Sequence, residues 1–232
     1  MSEAVKNCKR SFYAKIAVVG PSGTGKSYLS KNVDHETTGY INMERKPLPY
    51  RQTKSFKYIG QPKTWTAFMK NLKDYGENPE VQRIIIDSQT MAFNVLNKEM
   101  GQNFSGYDIY KNYNRQVYEY LELMKNIQKD IIVLSHDELI KLDDTGDKVK
   151  RMDTHGKEFA GKIEQHFAVV LYTGTKIKEG KPVYFLKTFE QGTSTKVPEG
   201  LFPDANEENL LEIANDAAYI FGCVEEYYCI SE

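Results

Sequence analysis

Gly20-Pro21-Ser22-Gly23-Thr24-Gly25-Lys26-Ser27 matches the phosphate-binding pattern G-x-x-x-x-G-K-[ST] without a mismatch. Its flanks suit the pattern. Lys15-Ile16-Ala17-Val18-Val19 precedes it as a short, partly β-branched apolar run that reads as a buried strand. Tyr28-Leu29-Ser30-Lys31-Asn32 follows it and can open a helix. Gly20, Gly23 and Gly25 let the backbone curl until its N–H groups point inward at phosphate oxygens. The helix N-terminus adds partial positive charge. In such a loop Lys26 reaches the β- and γ-phosphates and the Ser27 hydroxyl ligates Mg²⁺. The predicted nucleotide-binding stretch therefore runs through Gly20, Pro21, Ser22, Gly23, Thr24, Gly25, Lys26, Ser27 and Tyr28.

Outward from this loop, apolar strand candidates alternate with helical patterns. Gly39-Tyr40-Ile41-Asn42-Met43 is a short strand ending at Glu44. Trp65, Phe68, Met69 and Leu72 fall at helical spacing within residues 64–75. Arg83-Ile84-Ile85-Ile86-Asp87 is a strand ending in a carboxylate. A helix is expected around residues 90–100, and another over 112–128 with Val117, Leu121, Met124 and Ile127 on one face. Ile131-Ile132-Val133-Leu134 is the next buried strand. Fully apolar runs alternating with helices predict an α/β fold, with a mainly parallel sheet covered on both faces. Residues 142–155 are polar and read as an exposed loop or a short hairpin. Residues 167–172 and 182–187, joined across Lys178-Glu179-Gly180-Lys181, predict an antiparallel hairpin extending the sheet. A C-terminal helix is expected over 206–222, with Leu210, Leu211, Ile213, Ala214 and Ala217 on its apolar side.

Composition bounds the reading. The 232 residues suit one domain spanning 1–232, with a core over about 14–205. The 31 Lys and Arg against 32 Asp and Glu leave a net charge of −1, so any nucleic-acid contact must be local. No apolar run is long enough to span a membrane, and residues 1–10 show no signal-peptide core. Cys8, Cys223 and Cys229 form neither a disulfide framework nor a metal spacing, and read as reduced thiols of a cytoplasmic protein.

Three strand ends carry the remaining chemistry. Asp87 would sit at the carboxyl edge of the sheet beside the phosphate loop, as the second Mg²⁺ partner. Many oligomeric ATPases of the AAA+ type place a catalytic glutamate directly after this aspartate; here Ser88 stands there. Glu44 is then the candidate base, orienting and deprotonating a water aimed at the γ-phosphate. The alternative is a surface Glu paired with Arg45. His136 ends the strand before Asp137-Glu138 and is either a γ-phosphate sensor or a satisfied strand-end histidine. His35, His155 and His166 are scattered and read as structural or surface residues.

The order of phosphate loop, strand ending in Glu44, strand ending in Asp87-Ser88 and strand ending in a polar sensor resembles the RecA-like P-loop ATPase core. More narrowly, the chain resembles small phage-encoded RecA-like proteins of the single-strand annealing recombinase type, a nucleotide-binding AAA-domain family. The resemblance is carried by Gly20–Ser27, Tyr40–Arg45, Ile84–Ser88, Gly106-Tyr107, Val133–Glu138, Lys196-Val197-Pro198 and Gly200-Leu201-Phe202-Pro203. It departs at His136, where RecA itself usually carries a glutamine. The resemblance implies a RecA-like fold, ATP with Mg²⁺ and single-stranded DNA. It also implies a homo-oligomeric ring or filament, a phage single-strand binding protein as a partner, and the cytoplasm of a bacterial host.

The same resemblance places DNA contacts in two segments. Residues 101–115 hold Tyr107, Tyr110 and Tyr113 interleaved with Lys111 and Arg115, a pattern for stacking on bases and meeting phosphates. The alternative is that Tyr110, Tyr113 and Val117 begin a packed helix. Residues 139–157 hold Lys148, Lys150 and Arg151, offset by Asp143, Asp144 and Asp147. Lys187 or Lys196 could act in trans on a neighbour's γ-phosphate, against the reading of plain surface lysines. Two other functions remain open: an ATP-gated switch or assembly factor, and a small-molecule kinase. A kinase lid typically carries several arginines, and Arg151 is the only one in the candidate loop.

Overall fold

Buried apolar strands make the centre of the molecule, because their side chains meet helices on both sides. The computed structural model describes residues 8–141, 146–156, 158–206, 208 and 211–231. In chain order the strands are β1 (Cys8–Arg10), β2 (Lys15–Val19), β3 (Thr38–Asn42), β4 (Tyr58–Gly60), β5 (Arg83–Asp87), β6 (Asp130–Ser135), β7 (Asp137–Lys141), β8 (Lys148–Met152), β9 (Val169–Lys178), β10 (Lys181–Lys187), β11 (Glu212–Ala214) and β12 (Cys229–Ser231). The α-helices are α1 (Trp65–Glu77), α2 (Gln89–Asn103), α3 (Tyr107–Asn126) and α4 (Ala217–Tyr227).

The main sheet has the order β11-β10-β9-β2-β6-β5-β3-β4. It is parallel from β9 to β4, and β10 runs antiparallel between β9 and β11. Alternate residues serve opposite faces. Ala17, Val19, Ile84, Ile86, Ile131 and Val133 pack under α1, α2 and α3. Ile16, Val18, Ile85, Ile132 and Leu134 pack with Leu29, Val33 and the buried face of α4. Trp65, Phe68, Phe93 and Tyr120 interlock on the three-helix face, with ring centroids 5.2–6.3 Å apart. Among the described residues, no helix is long and apolar enough to cross a membrane.

Four sequence expectations need correction. The segment after the phosphate loop, expected to open a helix, forms only a six-residue 3₁₀ helix, Ser27–Asn32. Ser30 Oγ turns back to Ser27 O at 2.8 Å, a local bond that competes with regular helical pairing. The expected C-terminal helix starts only at Ala217, with Asp216 as its cap. Ahead of it, Leu211 has φ +57°, and Ile213 lies in β11 opposite Leu186. The outer edge of β10 takes up this segment as a strand, which satisfies ladder groups that a helix would leave open. Leu210, assigned to that helix face, lies outside the described residues.

The third concerns residues 101–115, for which a DNA-facing loop and the start of a packed helix were both open; the helix forms. They are the end of α2, a three-residue connection and the start of α3. Gly106 at φ +59° makes the sharp reversal possible. The fourth concerns the thiols: Cys229 is disulfide-bonded, and Cys223 is free. The polar stretch after His136 does form a hairpin, with β7 and β8 paired from Asp137–Met152 to Lys141–Lys148. Leu142, Asp143, Asp144, Thr145 and Lys157 of that stretch lie outside the described residues.

Candidate nucleotide site

Parallel strands bring their carboxyl ends to one edge of the sheet, and four of them supply the site. β2 leads into the phosphate loop, β3 into Glu44, β5 ends at Asp87 and β6 leads into His136. Because β6 lies between β2 and β5, His136 comes between Lys26 and Asp87 rather than at the margin. A cavity of about 310 Å³ opens there, lined by Ser22, Gly23, Gly25, Lys26, Ser27, Tyr28, Glu44, Pro49, Asp87, His136 and Tyr184.

The loop is held by close packing. Gly20 N donates to Ser135 O at 3.1 Å. A Cβ on Gly20 would lie 1.8 Å from Thr173 Oγ1, so only glycine fits beneath that hydroxyl. Thr173 Oγ1 in turn meets Thr24 Oγ1 at 2.6 Å. Gly25 has φ +86°, and a Cβ there would enter the Tyr184 ring. Asn215 Nδ2 donates to Gly25 O at 2.9 Å, tying the loop to the approach to α4.

The Lys26 ammonium donates to Gly20 O at 2.7 Å and Pro21 O at 2.8 Å, and lies 3.5 Å from His136 Nδ1. Burial lowers its pKa below the ordinary lysine value, while Asp87, Asp137 and Glu44 pull the other way. It is the one Lys or Arg lining the cavity among the described residues. With only a short 3₁₀ turn behind the loop, positive charge at the phosphate position rests on Lys26 and the loop N–H groups.

Asp87 is buried, and burial raises its carboxyl above the ordinary value; the Tyr40 and Ser27 hydroxyls oppose that shift. Tyr40 OH donates to Asp87 Oδ2 at 2.5 Å. The Asp87–Ser88 peptide is cis. Glu44 stands on the other side of the cavity. Its Oε2 accepts from Lys46 Nζ at 2.7 Å, and its Oε1 lies 3.7 Å from His136 Nε2. Burial pushes the Glu44 carboxyl up, but Lys46, His136 and Lys26 outweigh it and hold it below the usual value. Asn42 clamps the turn that presents Glu44: Arg45 N donates to its Oδ1 at 2.7 Å, and its Nδ2 donates to Lys46 O at 2.8 Å. The alternative of a Glu44–Arg45 pair is not what forms: Arg45 adopts φ +53° in that turn, and Glu44 pairs with Lys46 instead.

These residues fit ATP with Mg²⁺. A buried carboxylate lies beside a serine hydroxyl, an ammonium faces the same cavity, and Gly25 keeps the loop backbone close. Among the described residues, no cluster of three or more His, Cys, Asp or Glu could hold a metal alone. Mg²⁺ would therefore be shared by Ser27, Asp87 and the nucleotide phosphates.

The candidate strand-contacting residues separate. Tyr107, Tyr110, Lys111 and Arg115 are exposed on α3, and Arg115 Nε lies 3.9 Å from Glu119. Tyr113 is 1% exposed and packs edge-on against Phe93, so it is a core residue and not a stacking platform. Lys148 and Lys150 are exposed on β8, and Arg151 is half-buried. The start of α3 adjoins the segment after that hairpin: the Tyr113 and His155 rings are 6.0 Å apart, and Tyr118 OH donates to Glu158 at 2.9 Å. Lys196 Nζ donates to Phe167 O at 2.8 Å, and Lys187 pairs with Glu190, so both have partners within this chain.

Sequence reasoning missed Tyr40, Asn42, Lys46, Thr173, Tyr184 and Asn215. Tyr40 and Asn42 lay within a quoted strand, but nothing in their spacing marked a role. Lys46 meets Glu44 from two residues away, whereas Thr173, Tyr184 and Asn215 reach the site only through tertiary packing. The model of a family described as an AAA domain matches residues 13–202. A comparison with curated proteins gave no match.

Proposed function

The chain belongs to this AAA-domain family of nucleotide-binding ATPase-like domains, and from that premise we propose that it is a Mg²⁺-dependent ATP hydrolase of the RecA-like type. On this reading it binds single-stranded DNA and promotes annealing or recombination as a homo-oligomer, like the phage proteins its motif order resembles. The observation that carries the proposal is the gathering of Lys26, Ser27, Asp87, Glu44 and His136 around one cavity.

When bound, ATP supplies an electrophilic γ-phosphorus, and Mg²⁺ balances the charge of its oxygens. Lys26 exchanges its bonds to Gly20 O and Pro21 O for phosphate oxygens. Glu44, kept ionised by its neighbours, accepts the proton of the attacking water. His136 bridges the two, close to Lys26 through Nδ1 and to Glu44 through Nε2. It therefore meets any change at the γ-phosphate position. Asp153 N donates to His136 O at 2.9 Å, a route from that position into the hairpin beside α3. Tyr107, Tyr110, Lys111, Arg115, Lys148, Lys150 and Arg151 remain proposed strand contacts.

The test is ATP hydrolysis with and without single-stranded DNA, together with strand binding at two salt concentrations. ATP-dependent, salt-sensitive strand binding supports the reading. ATP binding with no DNA response rejects its nucleic-acid part and favours a switch or a kinase.

A further inference from the structure

The largest local excess of positive charge in this chain lies outside both segments predicted to meet DNA. Residues 45–63 carry Arg45, Lys46, Arg51, Lys54, Lys57 and Lys63, and not one Asp or Glu. Residues 101–115 and 139–157 each exceed neutrality by a single cation. All six cations of the basic stretch are exposed. Lys46 pairs with Glu44 and Lys57 with Glu80. Among the described residues, the side chains of Arg51, Lys54 and Lys63 have neither an ion pair nor a hydrogen bond.

The stretch is fixed to the sheet at its apolar points and leaves its cations in solvent. It runs from the carboxyl end of β3 to the start of edge strand β4, then past β4 to Lys63. Phe56 anchors it against Tyr40 and His35, with ring centroids 4.8 and 4.0 Å away. Tyr50 OH meets Ser30 Oγ at 2.9 Å. Pro47 and Pro49 keep the first part out of regular pairing. Gln52, Thr53, Ser55 and Gln61 add exposed hydrogen-bonding groups between the charges.

We propose that residues 45–63 form the phosphate-tracking surface for a single-stranded nucleic acid, and that strand phosphates free Glu44 by drawing off Lys46. The inference rests on the nucleic-acid part of the proposed function and names its surface. Unpaired exposed cations with interleaved small polar groups suit a flexible polyanion. An acidic protein is the competing occupant. The link to the site is direct. Pro49 lines the cavity, and Lys46, 75% exposed on its side chain, holds the less exposed Glu44 carboxylate. A phosphate oxygen offers Lys46 an equivalent partner in solvent, and Glu44 is then free to orient a water.

The experiment compares the intact chain with Arg51→Glu/Lys54→Glu/Lys63→Glu and with Lys111→Glu/Arg115→Glu, using a labelled oligothymidylate and Mg-ATP across a salt series. Thermal shift with Mg-ATP reports folding of each variant. The expected result is that the triple variant keeps its ATP-induced shift but loses strand affinity, with a log K against log salt slope shallower by about 2. An unchanged slope and affinity, with weakening confined to the α3 variant, overturns the inference and leaves the proposed function standing. No strand binding by the intact chain overturns both. Displacement of the strand by polyglutamate at matched charge overturns the nucleic-acid assignment in favour of an acidic protein. Lys46→Gln should raise strand-free turnover several-fold with KM for ATP unchanged; turnover at or below that of the intact chain overturns the coupling.

Discussion

Lys26 places the site's ammonium where the loop carbonyls already hold it, so its loss leaves no substitute among the cavity residues. Lys26→Ala should abolish ATP turnover or lower it by on the order of 10²–10³-fold, and should remove the Mg-ATP-induced rise in Tm. Turnover near the normal rate in this variant would sink the phosphate-loop assignment. Glu44→Gln keeps the size of the side chain and removes the base. ATP binding should persist, measured by thermal shift, while hydrolysis falls to the background of the Lys26→Ala variant. Asp87 carries a stability consequence. Burial raises its carboxyl pKa in the folded state, so the carboxylate opposes folding once pH exceeds that raised value. Asp87→Asn should therefore raise the Tm of the ligand-free protein at neutral pH by ~2–4 °C, equivalent to about 1 kcal/mol. The gain should vanish as pH falls into the carboxyl range, where Asp87 is itself protonated. Mg²⁺-dependent turnover should be lost at every pH. A lower Tm at neutral pH would reject this account of Asp87. At this scale the octet, Glu44, Asp87 and His136 were legible because each stands at a strand end or in a local pattern. Tyr40 was not: its hydroxyl reaches Asp87 only because β3 and β5 are neighbours in register.

The phosphate loop works as an element because β9 continues past the carboxyl end of β2 and covers it. Thr173 packs on Gly20 and Tyr184 on Gly25, so the hairpin of β9 and β10 is part of the loop's mould. Gly20→Ala should cost about 1–3 kcal/mol through overpacking, and should weaken ATP binding because the loop must shift. Thr173→Ala removes the obstructing Oγ1. The double variant should recover part of the loss, giving a non-additive cycle in denaturant melts. Strict additivity would show that the contact does not set the loop's position. The helix periods of α1 and α3 were readable from the sequence, though α3 begins five residues before the expected start, and α2 was expected around residues 90–100 without a stated period. The C-terminal helix was misplaced because Ile213 and Ala214 suit an apolar helix face and a strand equally. An open edge on β10 decided between them.

Across the described residues, the first and last strands are brought together beside the base of the sheet. β1 pairs with β12, and Arg10 donates to both oxygens of Asp130 at 2.9 and 2.8 Å. Ala14 N donates to the same carboxylate at 2.8 Å. Burial raises the Asp130 carboxyl, and Arg10 opposes that shift. Arg10→Met would leave the carboxylate buried with much less compensation and should cost about 3–5 kcal/mol at neutral pH. Because a protonated Asp130 no longer needs the guanidinium, the deficit should shrink as pH is lowered. Equilibrium unfolding at two pH values checks this, and a deficit independent of pH would assign the loss to packing alone. The basic stretch at residues 45–63 belongs to this scale as well. Its charges, and their start directly after Glu44, are plain in the sequence, but their place beside the cavity appears only once β3 and β4 are paired at the sheet edge.

Local order determined what the sequence could state alone. The octet with its flanking strand, the apolar runs of β2, β5 and β6, and the helix periods of α1 and α3 all depend on neighbours within a few residues. They implied a parallel α/β sheet and a nucleotide loop without reference to anything distant. Strand order, the hairpin roof of Thr173 and Tyr184 and the Tyr40–Asp87 bond were decided by tertiary structure. So were the burial of Tyr113 and the strand assignment of residues 212–214. The physical reason is the same in each case: the deciding free energy comes from desolvation and hydrogen-bond satisfaction between segments far apart in the chain. A local pattern specifies which face of an element is apolar, whereas only packing specifies what that face, or that edge, will meet.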